Sequence, residues 1–343
     1  MSNDDEDVSR EPIEAPESLQ RGFALEQMVT CEECLRANPP TRTTCLYCSA
    51  ALPETEASAE LRRPTLRRLE KWERGFNVVL LPCEAGDSLE TAWTEISGLL
   101  RLQEEELKSI VAAREPLPLA RASTFKEAAL VEDRLKPFGL KLIVVPDEDL
   151  AVDEKIPKRL RALRFEQDSL VAYPTSGAEA SSLRWDEITL LVTGRLFVRR
   201  IVVEERRARR SAENEIRDAR EFTSDEAVLD IYHKDSMACL RISANNFDFS
   251  CLGATKSLIA AENFARMVET FRARASRARL DETYNRVRNA LAPVWPMDQQ
   301  TESLGLRREI GKLSTEEATT SSNETQFTRY SRLRRYLLYN SDR

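Results

Sequence analysis

Four of the seven cysteines lie within eighteen residues, as Cys31-Glu-Glu-Cys34 and, ten residues later, Cys45-Leu-Tyr-Cys48. Each Cys-x-x-Cys pair makes a tight turn with both sulfurs on one side, and two such turns supply the four thiolates of a closed, tetrahedral structural zinc site. No position remains for a reactive water, so the expected role of Zn2+ is structural. About 25 residues cannot bury enough apolar surface to fold alone, and the metal would provide most of the folding free energy. Two other readings compete. A pair of disulfides fits a reduced compartment poorly, and a redox Cys-x-x-Cys has no need of a second copy.

Other chemistry is thin. His233 is the only imidazole, and no serine elbow or second ligand set accompanies it. Gly253-Ala-Thr-Lys256-Ser257 imitates the end of a phosphate loop but lacks the glycine before the lysine, so a turn into a helix is expected, capped by Thr255 or Ser257. The chain is therefore expected not to be an enzyme and to have no small-molecule substrate. Cys83, Cys239 and Cys251 sit in apolar stretches and read as core residues.

The residues around the ligands narrow the type of finger. Cys34-Leu-Arg-Ala-Asn38, followed by six residues to Cys45, resembles the Ran-binding-protein type of zinc finger, and bacterial zinc ribbons with an Asn-Pro-Pro loop are similar too. The resemblance implies contacts to RNA or protein through Asn38 and Arg42. Val29 stands where that family has tryptophan, Pro39 at its base-stacking position, and Leu35-Arg36 at the Thr-Phe of ubiquitin-binding members. Without the aromatic, which contributes about 1 to 3 kcal/mol per base, RNA binding would be weak. Arg36 and Arg42 can also offset the formal charge of a zinc with four thiolates.

The elements that must carry these features follow from composition and period. The chain has 343 residues, with 51 Lys and Arg against 58 Asp and Glu, a net charge of −7, so only local basic patches could attract nucleic acid. No apolar run approaches the roughly 20 residues of a spanning helix, and the acidic start is unlike a signal peptide, so a cytoplasmic protein is expected, with a membrane surface an unlikely partner. Residues 1–28 read as a disordered acidic tail, 29–52 as the zinc finger, and 53–74 as a basic linker with a short helix carrying Arg62, Arg63, Arg67, Arg68, Lys71 and Arg74. Arg67 and Arg68 are candidate contacts for an acidic partner or a phosphate backbone.

Residues 75–147 predict a strand at Phe76–Leu81, three helices and a strand at Leu140–Val145. Leu89, Trp93, Ile96 and Leu100 share the face of the first helix, and Asp87 with Glu90 forms its capping box. Leu107, Ile110 and Val111 mark a second helix, ending before Glu115-Pro116-Leu-Pro118, and Thr124 starts a third with Ala128, Val131 and Leu135. With Lys126-Glu127-Ala128 and Gly139, this layout is similar to the C-terminal domain of the bacterial ribosomal stalk protein. The resemblance implies an α/β fold. It does not carry over the stalk's GTPase partners, because Leu89-Glu-Thr-Ala-Trp-Thr-Glu-Ile lacks their lysines and the turn is Leu99-Leu-Arg-Leu.

A charged linker is expected over 148–170. Residues 171–277 then read as antiparallel strands, Ile188–Val192, Leu196–Val203, Ala227–Tyr232, Cys239–Ile242 and Phe247–Cys251, with a charged insertion over 204–223. A closing helix carries Phe264, Met267, Val268 and Phe271 as one stripe. Antiparallel strands capped by a C-terminal helix resemble a pleckstrin-homology-like domain. Arg195, Arg199, Arg200, Arg206, Arg207, Arg209 and Arg210 make a basic hairpin that could hold acidic groups, or simply a charged edge protected from aggregation. Residues 278–343 read as a helical and disordered tail, with Ser314–Thr328 disordered and a basic amphipathic helix over Tyr330–Tyr339.

The fold expected is thus multidomain α+β, with a small zinc finger, a stalk-like α/β domain and an antiparallel β domain capped by a helix. The expected function is a non-enzymatic adaptor or scaffold for protein partners. The alternative is an RNA- or ribosome-associated factor that uses the finger and the basic patches.

Overall fold

The computed structural model describes residues 28–40, 42, 44–53, 66–67, 69–70, 73–83, 87–150, 156–207, 214–234, 239–309 and 312–341. They fall into two compact units, one within Met1–Thr65 and the other within Leu66–Arg343. The architecture is mixed α+β, with a curled sheet, several helices and a cysteine cluster. The acidic tail over 1–27 and most of the basic stretch over 54–65 lie outside the described residues.

In the first unit, β1 (Val29–Thr30) pairs antiparallel with β2 (Ala37–Asn38). Its buried cluster holds two aliphatic side chains, Val29 and Leu52, packed with Cys31 and Cys45. So small an apolar cluster cannot by itself offset the entropy of ordering the chain.

The second unit opens with a three-stranded antiparallel sheet in the order β4-β3-β5, from β3 (Phe76–Leu80), β4 (Leu117–Ala122) and β5 (Leu142–Pro146). Between β3 and β4 lie a helical turn at Asp87–Glu90, α1 (Trp93–Leu100) and α2 (Glu104–Ala112); α3 (Phe125–Leu135) precedes β5. Leu89, Ile96 and Leu100 are buried as their spacing predicts, although the helix breaks between Glu90 and Trp93. Thr124 caps α3 by accepting the Glu127 N–H at 3.2 Å, and Ala128, Val131 and Leu135 face the core. Strand β4 corrects the turn expected at Pro118. The register passes from Val78↔Ala120 to Val79↔Pro118, so a bulge on an edge strand accommodates the proline's missing N–H.

The remaining strands form one large sheet in the order β13-β14-β9-β10-β11-β6-β7-β8. The stretch expected as a linker holds β6 (Lys158–Phe165), which pairs with β7 (Ser169–Pro174), itself paired with β8 (Ser181–Arg184). Leu160 and Leu163 both reach the core because the register shifts between Leu160 and Ala162, while the charged residues face solvent, which is why a charge-rich segment still forms a strand. Of the insertion expected over 204–223, the described residues 204–207 and 214–223 belong to two 20-residue strands, β9 (Ile188–Arg207) and β10 (Asn214–His233). Strand β11 (Leu240–Ser243) pairs with β10 and runs parallel to β6. The strand expected at Phe247–Cys251 is a 3₁₀ segment, Phe249–Thr255, with Asp248 accepting the Ser250 N–H at 3.0 Å. Local capping there overrides the alternating pattern. Helix α4 (Ala260–Arg274) buries Phe264, Met267, Val268 and Phe271 against the β6–β11 core.

Residues 278–343 are no tail. Strand β12 (Arg279–Asp281) pairs parallel with β9 at Leu190–Val192, and α5 (Tyr284–Leu291) follows. Strands β13 (Asp298–Glu309) and β14 (Lys312–Ser322) form a hairpin, and β14 pairs with β9 along Val198–Arg206. Helix α6 (Glu324–Ser341) buries Phe327, Tyr330 and Leu333 in a core shared with Val78, Ile96, Leu119 and Trp295. Each such side chain contributes roughly 1.5 to 3 kcal/mol on burial, so the last helix is part of the main core. The Ser/Thr/Glu composition that suggested disorder serves a strand paired on both sides, where Thr319 meets Thr301 at 3.2 Å.

Candidate metal centre

The two Cys-x-x-Cys segments fold as copies of one turn. In the first, the Leu35 N–H donates to the Cys31 carbonyl at 2.9 Å and the Cys31 N–H to the Arg36 carbonyl at 3.0 Å. In the second, Ser49 donates to Cys45 at 3.1 Å and Cys45 to Ala50 at 2.8 Å. The residue after each second cysteine is left-handed, Leu35 at φ 57° and Ser49 at φ 62°. Short antiparallel pairs close both turns at equivalent places, Thr30↔Ala37 and Thr44↔Ala51. Holding two non-glycine residues at positive φ costs about 1 to 2 kcal/mol each, and the reward is that both sulfurs of each turn face one point.

All four sulfurs lie within 4.8 Å of one another, with Cys34 to Cys45 at 3.5 Å and Cys31 to Cys48 at 3.6 Å. A tetrahedral ion with metal–sulfur bonds of about 2.3 Å requires sulfurs about 3.8 Å apart, so these four could hold one metal ion. None of the cysteines is disulfide-bonded. Burial acts to raise the Cys45 thiol, but the backbone N–H groups of Tyr47 and Cys48, with Cys34 and Asn38, outweigh it and bring it down to about 6. At Cys48 a backbone bond from Ala50 favours the thiolate, yet desolvation and the other three cysteines push the thiol up to about 12. Four thiolates this close repel one another unless a cation sits among them.

Asn38 is fully buried and braces the two turns. Its amide nitrogen donates to the Arg36 carbonyl at 2.9 Å and toward Cys45 Sγ at 3.5 Å, and its oxygen accepts the Leu46 N–H at 2.8 Å. Tyr47 N–H also points to Cys45 Sγ at 3.4 Å. The side chain expected to touch a partner is thus engaged internally. Arg42 is exposed and donates from Nε to the Thr44 carbonyl at 3.3 Å. Arg67, in the other unit, grips both oxygens of Glu73 at 2.9 and 2.8 Å. Arg68 lies outside the described residues.

The sequence pattern does not reveal what the turns expose. Leu35, Leu46 and Tyr47 are 78%, 54% and 56% exposed, and the Arg36 guanidinium lies 4.6 Å over the Tyr47 ring. The signal was available: residues between and just after paired ligand cysteines stand at the tip of a turn, where no core can cover them.

In the large sheet, the basic hairpin is partly neutralised across strands. Arg195 pairs with Asp225 at 2.9 Å and Arg199 with Glu221 at 2.8 Å, all about half exposed, and such pairs contribute little. Among the described residues, no helix is long and apolar enough to cross a membrane. Comparison with known proteins found no matching family model, no similar curated protein and no similar solved structure.

Proposed function

We propose that this chain is a non-enzymatic, zinc-binding adaptor that docks protein partners through its finger. One observation carries the reading: four sulfurs converge on a point with no fifth His, Cys, Asp or Glu beside them among the described residues, while the same turns turn Leu35, Leu46 and Tyr47 outward. A metal bound by four thiolates organises the turns and performs no chemistry, and an exposed tyrosine with an arginine over its ring, flanked by exposed leucines on a rigid base, suits the anchor of a protein interface. Zinc fits best, because a sulfur-only set at tetrahedral spacing suits it. A cytoplasmic setting belongs to the same reading, since four reduced thiols persist there.

The test uses the full chain and a Leu35→Ser, Tyr47→Ser double variant, which leaves every ligand and the Asn38 brace in place. Equal zinc content with loss of the captured partners supports docking through the tips. An unchanged partner set refutes it. A second reading, RNA association, is supported by Tyr47 with Arg36 stacked on it, since an exposed aromatic beside a guanidinium can take a base. A salt-dependent shift with single-stranded RNA that disappears in Tyr47→Ala favours this reading; no shift at low salt removes it.

A further inference from the structure

Strand β13 is paired on one edge only. It runs antiparallel to β14 from Asp298 to Glu309, and among the described residues no strand lies on its outer side. Every residue from Gln299 to Gly305 is exposed, so this stretch adds no apolar burial to offset the entropy of holding it extended. The row of backbone N–H and C=O groups along such an edge is a template for another strand.

The opposite edge of the same ribbon is protected. Strand β11 lies beyond β10 only over Val228–Ile231, and the nine residues from Asp218 to Glu226 include five charged ones, a pattern that keeps an edge from joining another chain. On β13 the seven residues from Gln299 to Gly305 include one, Glu302. The register shifts between Ser303 and Gly305, Gly305 stands at φ 111°, and no atom of the described residues lies within 4 Å of where a Cβ there would sit. A glycine inside a strand often marks the close approach of another backbone. Around it the strand reads Glu302-Ser-Leu304-Gly305-Leu306-Arg307-Arg308, with an acid and a leucine before the glycine and a leucine and bases after it. That order is its own complement. Laid antiparallel on a second copy about Gly305, the strand sets position 302 opposite 308 and position 304 opposite 306, acid against base and leucine against leucine. Parallel pairing in register would set Glu302 beside Glu302, and like charges directly opposite are unfavourable.

We propose that two copies of this chain join through the outer edges of β13, antiparallel about a two-fold axis at Gly305, so that the large sheet of one protomer continues into the other. The axis makes every cross-strand pair occur twice, which is how an isologous contact gains from a self-complementary strand. A second copy is the occupant because an unrelated strand gives no reason for the acid-to-base order around Gly305. The contact lies wholly in the 66–343 unit and uses no residue of the finger, so it goes beyond the adaptor reading and is tested apart from it.

Sedimentation equilibrium of the full chain across the micromolar range tests it. The mass is expected to rise with concentration to twice that of the monomer. Glu302→Arg and Arg308→Glu each set like charges opposite one another at both ends of the contact, and each should weaken dimerisation about tenfold. The double variant, Glu302→Arg with Arg308→Glu, makes the charges opposite again and should bring the affinity back to within about threefold of the parent's. That recovery separates a lost pairing from a lost fold. The Leu35→Ser, Tyr47→Ser finger variant should dimerise as the parent does. A chain that stays monomeric throughout the range, a dimer that both single variants leave unchanged, a double variant no tighter than the single ones, or loss of the dimer in the finger variant would overturn the inference.

Discussion

Asn38 links the two cysteine turns through a single carboxamide that meets a carbonyl, a sulfur and an N–H. Asn38→Ala is expected to leave the Leu46 N–H without its partner and to remove one of the two donors to the Arg36 carbonyl, which keeps the Cys31 N–H. The cost is about 1 to 3 kcal/mol, read as a 10- to 100-fold loss of zinc affinity in a chelator competition. An affinity equal to the parent's would show that the brace is dispensable. The pH dependence follows from Cys45, whose lowered value near 6 leaves it a thiolate above that pH and a thiol below it. Metal binding must therefore displace one more proton as the pH drops through about 6, and zinc affinity falls more steeply on that side. Calorimetry in buffers of different ionisation enthalpy counts those protons directly. The convergence of the four cysteines was legible from spacing alone. The inward role of Asn38 was not, because its type and position suit a brace and a contact equally well, and only burial separates the two.

Elements built on one apolar face were readable, and α3 and α4 bury the side chains their periodicity marks. Elements whose partners are distant in sequence were not. Strand β14 reads as a polar, low-complexity stretch until β13 and β9 flank it, and β6 reads as a linker until Leu160 and Leu163 find a core built by later residues. Truncation after residue 297 should therefore remove Phe327, Tyr330 and Leu333 from the main core and abolish cooperative unfolding of the second unit; a folded, cooperatively melting fragment would contradict this. Within β10 and β11, Asp230 and Arg241 form a fully buried ion pair at 2.7 and 2.8 Å, and Arg241 also reaches Glu324 and Thr328 on α6. Asp230→Asn leaves the buried Arg241 cation with only the part-exposed Glu324 as counter-charge, and chemical denaturation should register a loss of about 3 kcal/mol or more.

At the scale of the whole molecule, the mixed α+β class was legible, but three domains joined by linkers were expected where the described residues form two units. Sequence reading divides a chain where charge runs interrupt apolar ones. Here β6 lies within 148–170, the described parts of 204–223 extend β9 and β10, and one buried cluster joins residues as far apart as Val78 and Leu333. The finger has no share in that core, so its stability should rest on metal and that of the 66–343 unit should not. Added chelator is expected to erase the finger's structure while leaving the main melting transition where it was. Whether the four thiolates hold one ion is read by elemental analysis of the purified chain beside a Cys31→Ser, Cys34→Ser variant. About one zinc per chain is expected in the parent and none in the variant. A parent that carries no metal while its four thiols remain intact, or pair as disulfides, would contradict it.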